Sequence, residues 1–152
     1  MVAVVGDDVT ARLERLELIE AAKVVTARYG RVIDAKDVAG FDSVFSDDVV
    51  LHLPSGEHRG IDAVRKFFAG AFMEQGTRRH FLANQIAEVM GPDEVRVQSY
   101  FLFISEDDHS VIGWGAYDDR VRRRAGVARI TDKTIVLDVH TDLQRGWARG
   151  PR

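Results

Sequence analysis

Histidine is the side chain whose ordinary pKa, about 6.5, lets it accept a proton at neutral pH and later return it. The chain has five: His52, His58, His80, His109 and His140. It has no cysteine, which excludes a thiol nucleophile, a thiolate zinc site and a disulfide framework. The histidines other than His80 show no ligand spacing with one another or with a nearby carboxylate, so no metal site is expected. His80 lies in a strand-like stretch, Arg79-His80-Phe81-Leu82-Ala83-Asn84. Asp34 and Tyr29, near the end of a helical stretch, are of the types that steady an imidazole and polarise an oxygen. Each also has a plainer reading. A strand histidine often serves structure, Asp34 has Arg31 and Lys36 near enough to pair with, and Tyr29 can pack in a core with a polar tip. Five residues at about 100° each put Asp34 roughly 140° from Tyr29 around an ideal helix, so both face one cavity only if the helix end bends or the cavity is wide.

The elements that would position these residues follow from periodicity. From about Asp8 to Ile33, Leu13, Leu16, Ile19, Ala22, Val25, Tyr29 and Val32 recur at steps of three and four, which predicts a long amphipathic helix capped by Asp7, Asp8 or Thr10. Val38, Phe41, Val44 and Phe45 predict a second, short helix, Val49 to Leu53 a strand stopped by Pro54, and Ser55-Gly56 a turn. A third helix is expected from Ile61 to the glycine at Gly76. The period then changes to that of strands over Thr77–Val89, Glu94–Ile104, Val111–Val121 and Val127–His140. The clusters Gly91-Pro92-Asp93, Glu106 to Ser110 and Arg124-Ala125-Gly126 turn the chain between them. Helices first and strands afterwards predict an α+β fold. A parity of two puts Leu82 and Asn84 on the face of His80. Trp114 and Tyr117 have opposite parity, so at most one of them lines the inside with its strand neighbours, and Phe101 and Phe103 read as cavity wall or core. The run from Arg120 to Arg124 beside a hairpin turn reads as a solvated edge.

The whole composition narrows the function. A length of 152 residues with 45% hydrophobic content suits one domain, 1–152, with a core over about 10–141 and an irregular tail over 142–152 anchored by Trp147. A net charge of -3 gives no field that would gather a polyanion, so nucleic acid is not an expected partner. The apolar run Val2 to Val5 is too short for a leader, and no stretch approaches the roughly 20 apolar residues that cross a bilayer. A cytoplasmic protein is expected. No phosphate loop, nucleophile elbow or dinucleotide fingerprint is present.

Four pieces of sequence resemble the SnoaL-like branch of the nuclear transport factor 2 fold over roughly residues 10–141. They are Tyr29 to Asp34 with Asp37, Phe41 and the Phe45-Ser46-Asp47-Asp48-Val49 box; Gly60-Ile61-Asp62-Ala63-Val64; Arg79 to Asn84; and Tyr117-Asp118-Asp119-Arg120 leading to Ile130-Thr131-Asp132-Lys133. The resemblance implies a cone-shaped α+β barrel, three N-terminal helices packed in a strongly curved, mostly antiparallel sheet. It implies a homo-dimer or homo-trimer, no cofactor, and a hydrophobic small-molecule ligand. In scytalone dehydratase, the bile-acid dehydratase and lindane dehydrochlorinase of this group, an aspartate ending the first helix pairs with a histidine on the strand after the third. Asp34 and His80 match those positions, and Tyr29 resembles the tyrosine aimed at the substrate of the bile-acid enzyme.

His80 is thereby implied as base and acid, Asp34 as its partner and Tyr29 as hydroxyl donor, with Asn84, Phe101, Tyr117 and Lys133 as substrate-binding residues. Lys133 departs from the lindane enzyme's arginine, and Leu53 stands where the ketosteroid isomerase of the fold has its base. The implied activity is dehydration, isomerisation or cyclisation of an oxygenated polyketide, terpenoid or steroid-like compound. The alternatives are a non-catalytic ligand-binding or structural subunit, or an epoxide hydrolase that would need Asp132 or a neighbour to face the cavity beside an arginine.

Overall fold

The computed structural model describes residues 5–73, 76–106 and 110–144, without the side chains of 5–7. The Trp147 anchor, His109 and its turn lie outside them. Two helices pack against one six-stranded mixed sheet that does not close. Helix α1 spans Val5–Asp34, β1 Phe45–Leu53, β2 Gly56–Arg59, α2 Ile61–Met73, β3 Thr77–Gly91, β4 Glu94–Glu106, β5 Ser110–Arg124 and β6 Val127–Asp142. The sheet order is β2-β1-β6-β5-β4-β3, antiparallel throughout except where β1 runs parallel to β6.

The long strands obey their alternation. Val95, Val97, Phe101 and Phe103 of β4 and Tyr117 and Val121 of β5 point inward, onto the buried stripe of α1 formed by Leu18, Ala22, Val25, Tyr29 and Val32. A Cβ at Gly30 of α1 would meet the end of Leu82 at 3.3 Å and the Cβ of His80 at 3.7 Å, so the helix packs closely on β3 one turn before Asp34.

The structure corrects four expectations. The helix already runs from Val5, the first described residue, so Asp7, Asp8 and Thr10 lie inside it rather than at its cap. Leu13 and Leu16 are exposed because, at about 100° per residue, they lie roughly 180° and 120° around the helix from Ala22 of the buried stripe, and burial begins with Leu18. The second of the three expected helices is a single 3₁₀ turn, Ala39–Ser43, which seats Phe41 in the core. β2 pairs with β1 where only a turn was expected; its Gly56-Glu57-His58-Arg59 is polar and edge-exposed, so no apolar alternation marks it.

The arginine run is laced to neighbours. Arg120 and Arg122 bind Glu94, Arg123 binds Asp93 and Arg124 binds Asp48. On the outer face His52 joins three strands, with one ring nitrogen 2.9 Å from Asp132 and the other 3.1 Å from Glu57. No helix among the described residues is long and apolar enough to cross a membrane.

Candidate active site

Asp34 ends α1 and His80 is the fourth residue of β3, and the two meet. Nδ1 of His80 lies 2.6 Å from Oδ1 of Asp34. The backbone N–H of His80 also donates to both carboxylate oxygens, at 3.1 and 3.0 Å. Two donors from one residue hold the carboxylate in a fixed attitude, and the side chains are only 8% and 10% exposed. A carboxylate at Nδ1 selects the tautomer that carries its proton there and leaves Nε2 with a lone pair. Burial holds the imidazole pKa below 6.5, with Asp34 opposing and the cations of Arg78 and Lys133 adding to the lowering. His80 is therefore neutral, and basic, at neutral pH.

The ring of His80 forms part of the wall between two cavities. On one side is a groove along Gly30, Arg31, Asp34, Thr77 and Arg79. On the other is an apolar cavity of about 290 Å³ inside the cone. Phe67, Phe68 and Phe72 of α2, Phe101 and Phe103 of β4, and Ile135 and Leu137 of β6 give it its greasy lining. Asp34 borders the groove but not the cavity. The 140° between Tyr29 and Asp34 is thereby resolved, because the helix turns Tyr29 to the cavity and Asp34 to the groove, and His80 spans the two.

Tyr29 and Tyr117 stand edge to face across the cavity floor, with ring centroids 5.7 Å apart and planes at 87°. Phe101 stacks on Tyr117 at 4.2 Å. Burial pushes both phenols far above their ordinary range, so both keep their O–H protons, and the two hydroxyls hydrogen-bond to each other.

Lys133 is not placed to bind a substrate. It is fully buried and absent from the cavity lining, with Nζ 2.9 Å from Asp119 and 4.0 and 3.6 Å from the ring centroids of Tyr29 and Tyr117. Burial drives Lys133 and Asp119 each toward its neutral form, and each partner's charge opposes that shift. Asn84 is also misplaced by simple alternation. A β-bulge between Ala83 and Ile86, with Asn84 at φ 53°, turns it to the outer face. Gln85 takes the inward place and donates to Thr26 at 3.0 Å. Asp132, required at the cavity for epoxide opening, points outward to His52.

Neither periodicity nor resemblance singles out Arg78 and His140, which line the cavity, or Asp119 beneath it. Parity could have found two of them. Arg78 precedes His80 by two residues, and Asp119 follows Tyr117 by two. Among the described residues no cluster of three His, Asp or Glu side chains is placed to hold a metal ion.

Residues 14–134 match the model of a protein family described as SnoaL-like domain. Among solved structures, the chain resembles a protein of Novosphingobium aromaticivorans DSM 12444 with a proposed scytalone dehydratase assignment. The TM-score is 0.77 at 20% identity, over 85% of this chain and 89% of the other. It also resembles the hexachlorocyclohexane dehydrochlorinase LinA-type3 of Novosphingobium barchaimii LL02, with a TM-score of 0.80 at 18% identity over 92% and 99% of the two chains. At such identities the likeness is one of fold. No curated protein matches the chain.

Proposed function

The chain belongs to the SnoaL-like domain family, and from that premise we propose that it is a cofactor-independent acid/base enzyme, a dehydratase, isomerase or cyclase, acting on a hydrophobic oxygenated small molecule of polyketide, terpenoid or steroid-like kind. One observation carries the reading. An imidazole held by a buried carboxylate forms part of the wall of an apolar cavity whose floor holds a hydrogen-bonded pair of phenols.

In a dehydration, Nε2 of His80 takes the proton from the carbon beside a carbonyl. The C–H electron pair moves toward the carbonyl oxygen, and the Tyr29 and Tyr117 hydroxyls meet the charge that develops there. The imidazolium, stabilised by Asp34, then gives its proton to the departing hydroxyl; the C–O bond breaks, water leaves and His80 is neutral again. Isomerisation returns the same proton to another carbon. Lys133 touches no substrate in this scheme; its charge against the two ring faces makes it a positioning residue for the phenols.

The neighbours of the fold that bear dehydratase and dehydrochlorinase names support an elimination. The outer sheet face, where Phe81, Ile86 and Tyr100 are 52%, 69% and 61% exposed, supports a homo-dimer or homo-trimer formed there. A cysteine-free chain suits the cytoplasm.

The test is a panel of β-hydroxy ketones followed by the absorbance of the enone product, with His80→Ala as the blank. Wild-type turnover absent from a folded His80→Ala protein is the expected result. Equal rates in the two proteins overturn the proposal and leave a ligand-binding module.

A further inference from the structure

The ionisable side chains that line the inner cavity are Arg78, His80, His140 and the two phenols; no carboxylate lines it among the described residues. The three basic groups gather on one ring. Arg78 lies over Phe103 with its guanidinium carbon 4.9 Å from the ring centroid, His80 is 5.5 Å away and His140 5.9 Å. The polar atoms of the cavity thus fall into two sets. Tyr29 and Tyr117 lie deep and are almost wholly buried, whereas Arg78 is half-buried and His140 exposed, which places this pair toward solvent. Between them the lining is hydrocarbon.

From this arrangement we infer that the substrate is an organic acid, a compact one- or two-ring molecule whose carboxylate binds Arg78 beside His140 while its reacting carbon lies at His80. The inference rests on the catalytic reading above and deepens it by naming the substrate class. In a cavity whose described lining offers basic groups and no acidic ones, an anion is the charge the lining favours.

A guanidinium presents a flat fork that matches a carboxylate with two parallel hydrogen bonds, and its five N–H donors can serve a ligand beside a protein acceptor. Stacking on Phe103 fixes the plane of that fork. Two residues along β3 separate Arg78 from His80, about 7 Å. An acid held at the first therefore brings to the second a carbon several bonds from the carboxylate, the width of a ring. The volume of about 290 Å³ sits at the small end of small-molecule sites, which run from roughly 300 to 1,000 Å³.

Calorimetric titration of the full chain with naphthoate and with its neutral amide, naphthamide, tests this. Naphthoate should bind at least about tenfold more tightly. Arg78→Met should reduce its affinity to that of naphthamide. Arg79→Met, which removes the same charge from the groove side of the strand, should keep the preference. Should Arg78→Met not fold, Arg78→Gln and the two wild-type titrations decide between the same outcomes. Equal wild-type affinities, or an equal loss in Arg79→Met, overturn the inference. Naphthoate binding in a protein that turns over no β-hydroxy ketone would leave the acid preference standing and count against catalysis alone. Binding of neither compound would overturn both, by removing the cavity as a ligand site.

Discussion

His80 reaches Asp34 across 2.6 Å from a ring that also borders the inner cavity, and Asp34 does not border it. In the proposed mechanism the carboxylate therefore acts through the imidazole rather than on a substrate. Asp34→Asn keeps the size of the side chain but no longer enforces the tautomer or balances the imidazolium. It should lower kcat by about 10²–10⁴-fold, the span from an ordinary general base to a wrongly oriented one, with KM nearly unchanged. Steady-state kinetics separates the two constants; a change confined to KM would place Asp34 in substrate binding instead.

The protonation of His80 gives a second expectation. Its pKa is held below 6.5, first by burial and further by the Arg78 and Lys133 cations, while Asp34 works the other way. The acid limb of kcat/KM should accordingly have its midpoint below 6.5, and Arg78→Met, by removing a cation, should move it upward. NMR titration of the imidazole should report the same displacement. Stability follows with a fixed sign. A histidine whose folded pKa is depressed contributes fully above its unfolded pKa, and that contribution is lost as pH falls through the folded value. His80→Gln should flatten the acid side of the stability profile, and an unchanged profile would show that burial of His80 is not coupled to protonation.

The sequence disclosed what simple periodicity controls and hid what breaks it. Alternation of two grouped Leu82 with His80 and Phe101 with Phe103 because β3 and β4 are regular at those points, while the inward place of Tyr117 rather than Trp114 came from resemblance. The same rule failed four residues past His80, where the bulge at Asn84 inverts the face and brings Gln85 inward. Helical spacing found the buried stripe from Ala22 to Val32 but counted Leu13 and Leu16 as core, since steps of three and four taken in succession let the apolar pattern drift around the helix away from the face the sheet covers. Lys133 was implied as a ligand-binding residue by its match to the lindane enzyme's arginine; its buried partner, Asp119, is 14 residues away and joined to it only by the β5–β6 register, so nothing local showed the pairing. The meeting of Asp34 with His80 came from resemblance, as 46 residues separate them and no local pattern links the two.

That buried pair supplies a third prediction. Lys133 and Asp119 are both fully buried, so removing either leaves an uncompensated group under the floor of the cavity. Lys133→Met should cost about 3–5 kcal/mol in urea unfolding, and the double variant Lys133→Met with Asp119→Leu should recover much of it, because the pair's own attraction is largely offset by desolvation. If the double variant is no more stable than the single one, the charges are not what sets the cost. Loss of the cation over Tyr29 and Tyr117 should also lower kcat in a folded double variant while naphthoate affinity stays near wild type.

Two glycines on the inner face of β5 meet different obstacles, which makes them a controlled comparison. A methyl group at Gly115 would run into the backbone carbonyl of Val136, next to the Cα of Leu137, where β6 is already out of regular register. Backbone on a paired strand has little room to withdraw. A methyl group at Gly113 would run instead into the ring of Phe103, with Val139 behind. That ring can tilt away, toward the cavity it lines. Gly115→Ala should therefore destabilise the fold by about 1–3 kcal/mol, seen as a lower urea midpoint at unchanged m. Gly113→Ala should lose less stability but bind naphthoate more weakly, because Phe103 carries Arg78 and borders the space the ring of the acid would occupy. Equal stability losses with no change in binding would mean that Phe103 does not shape the ligand site.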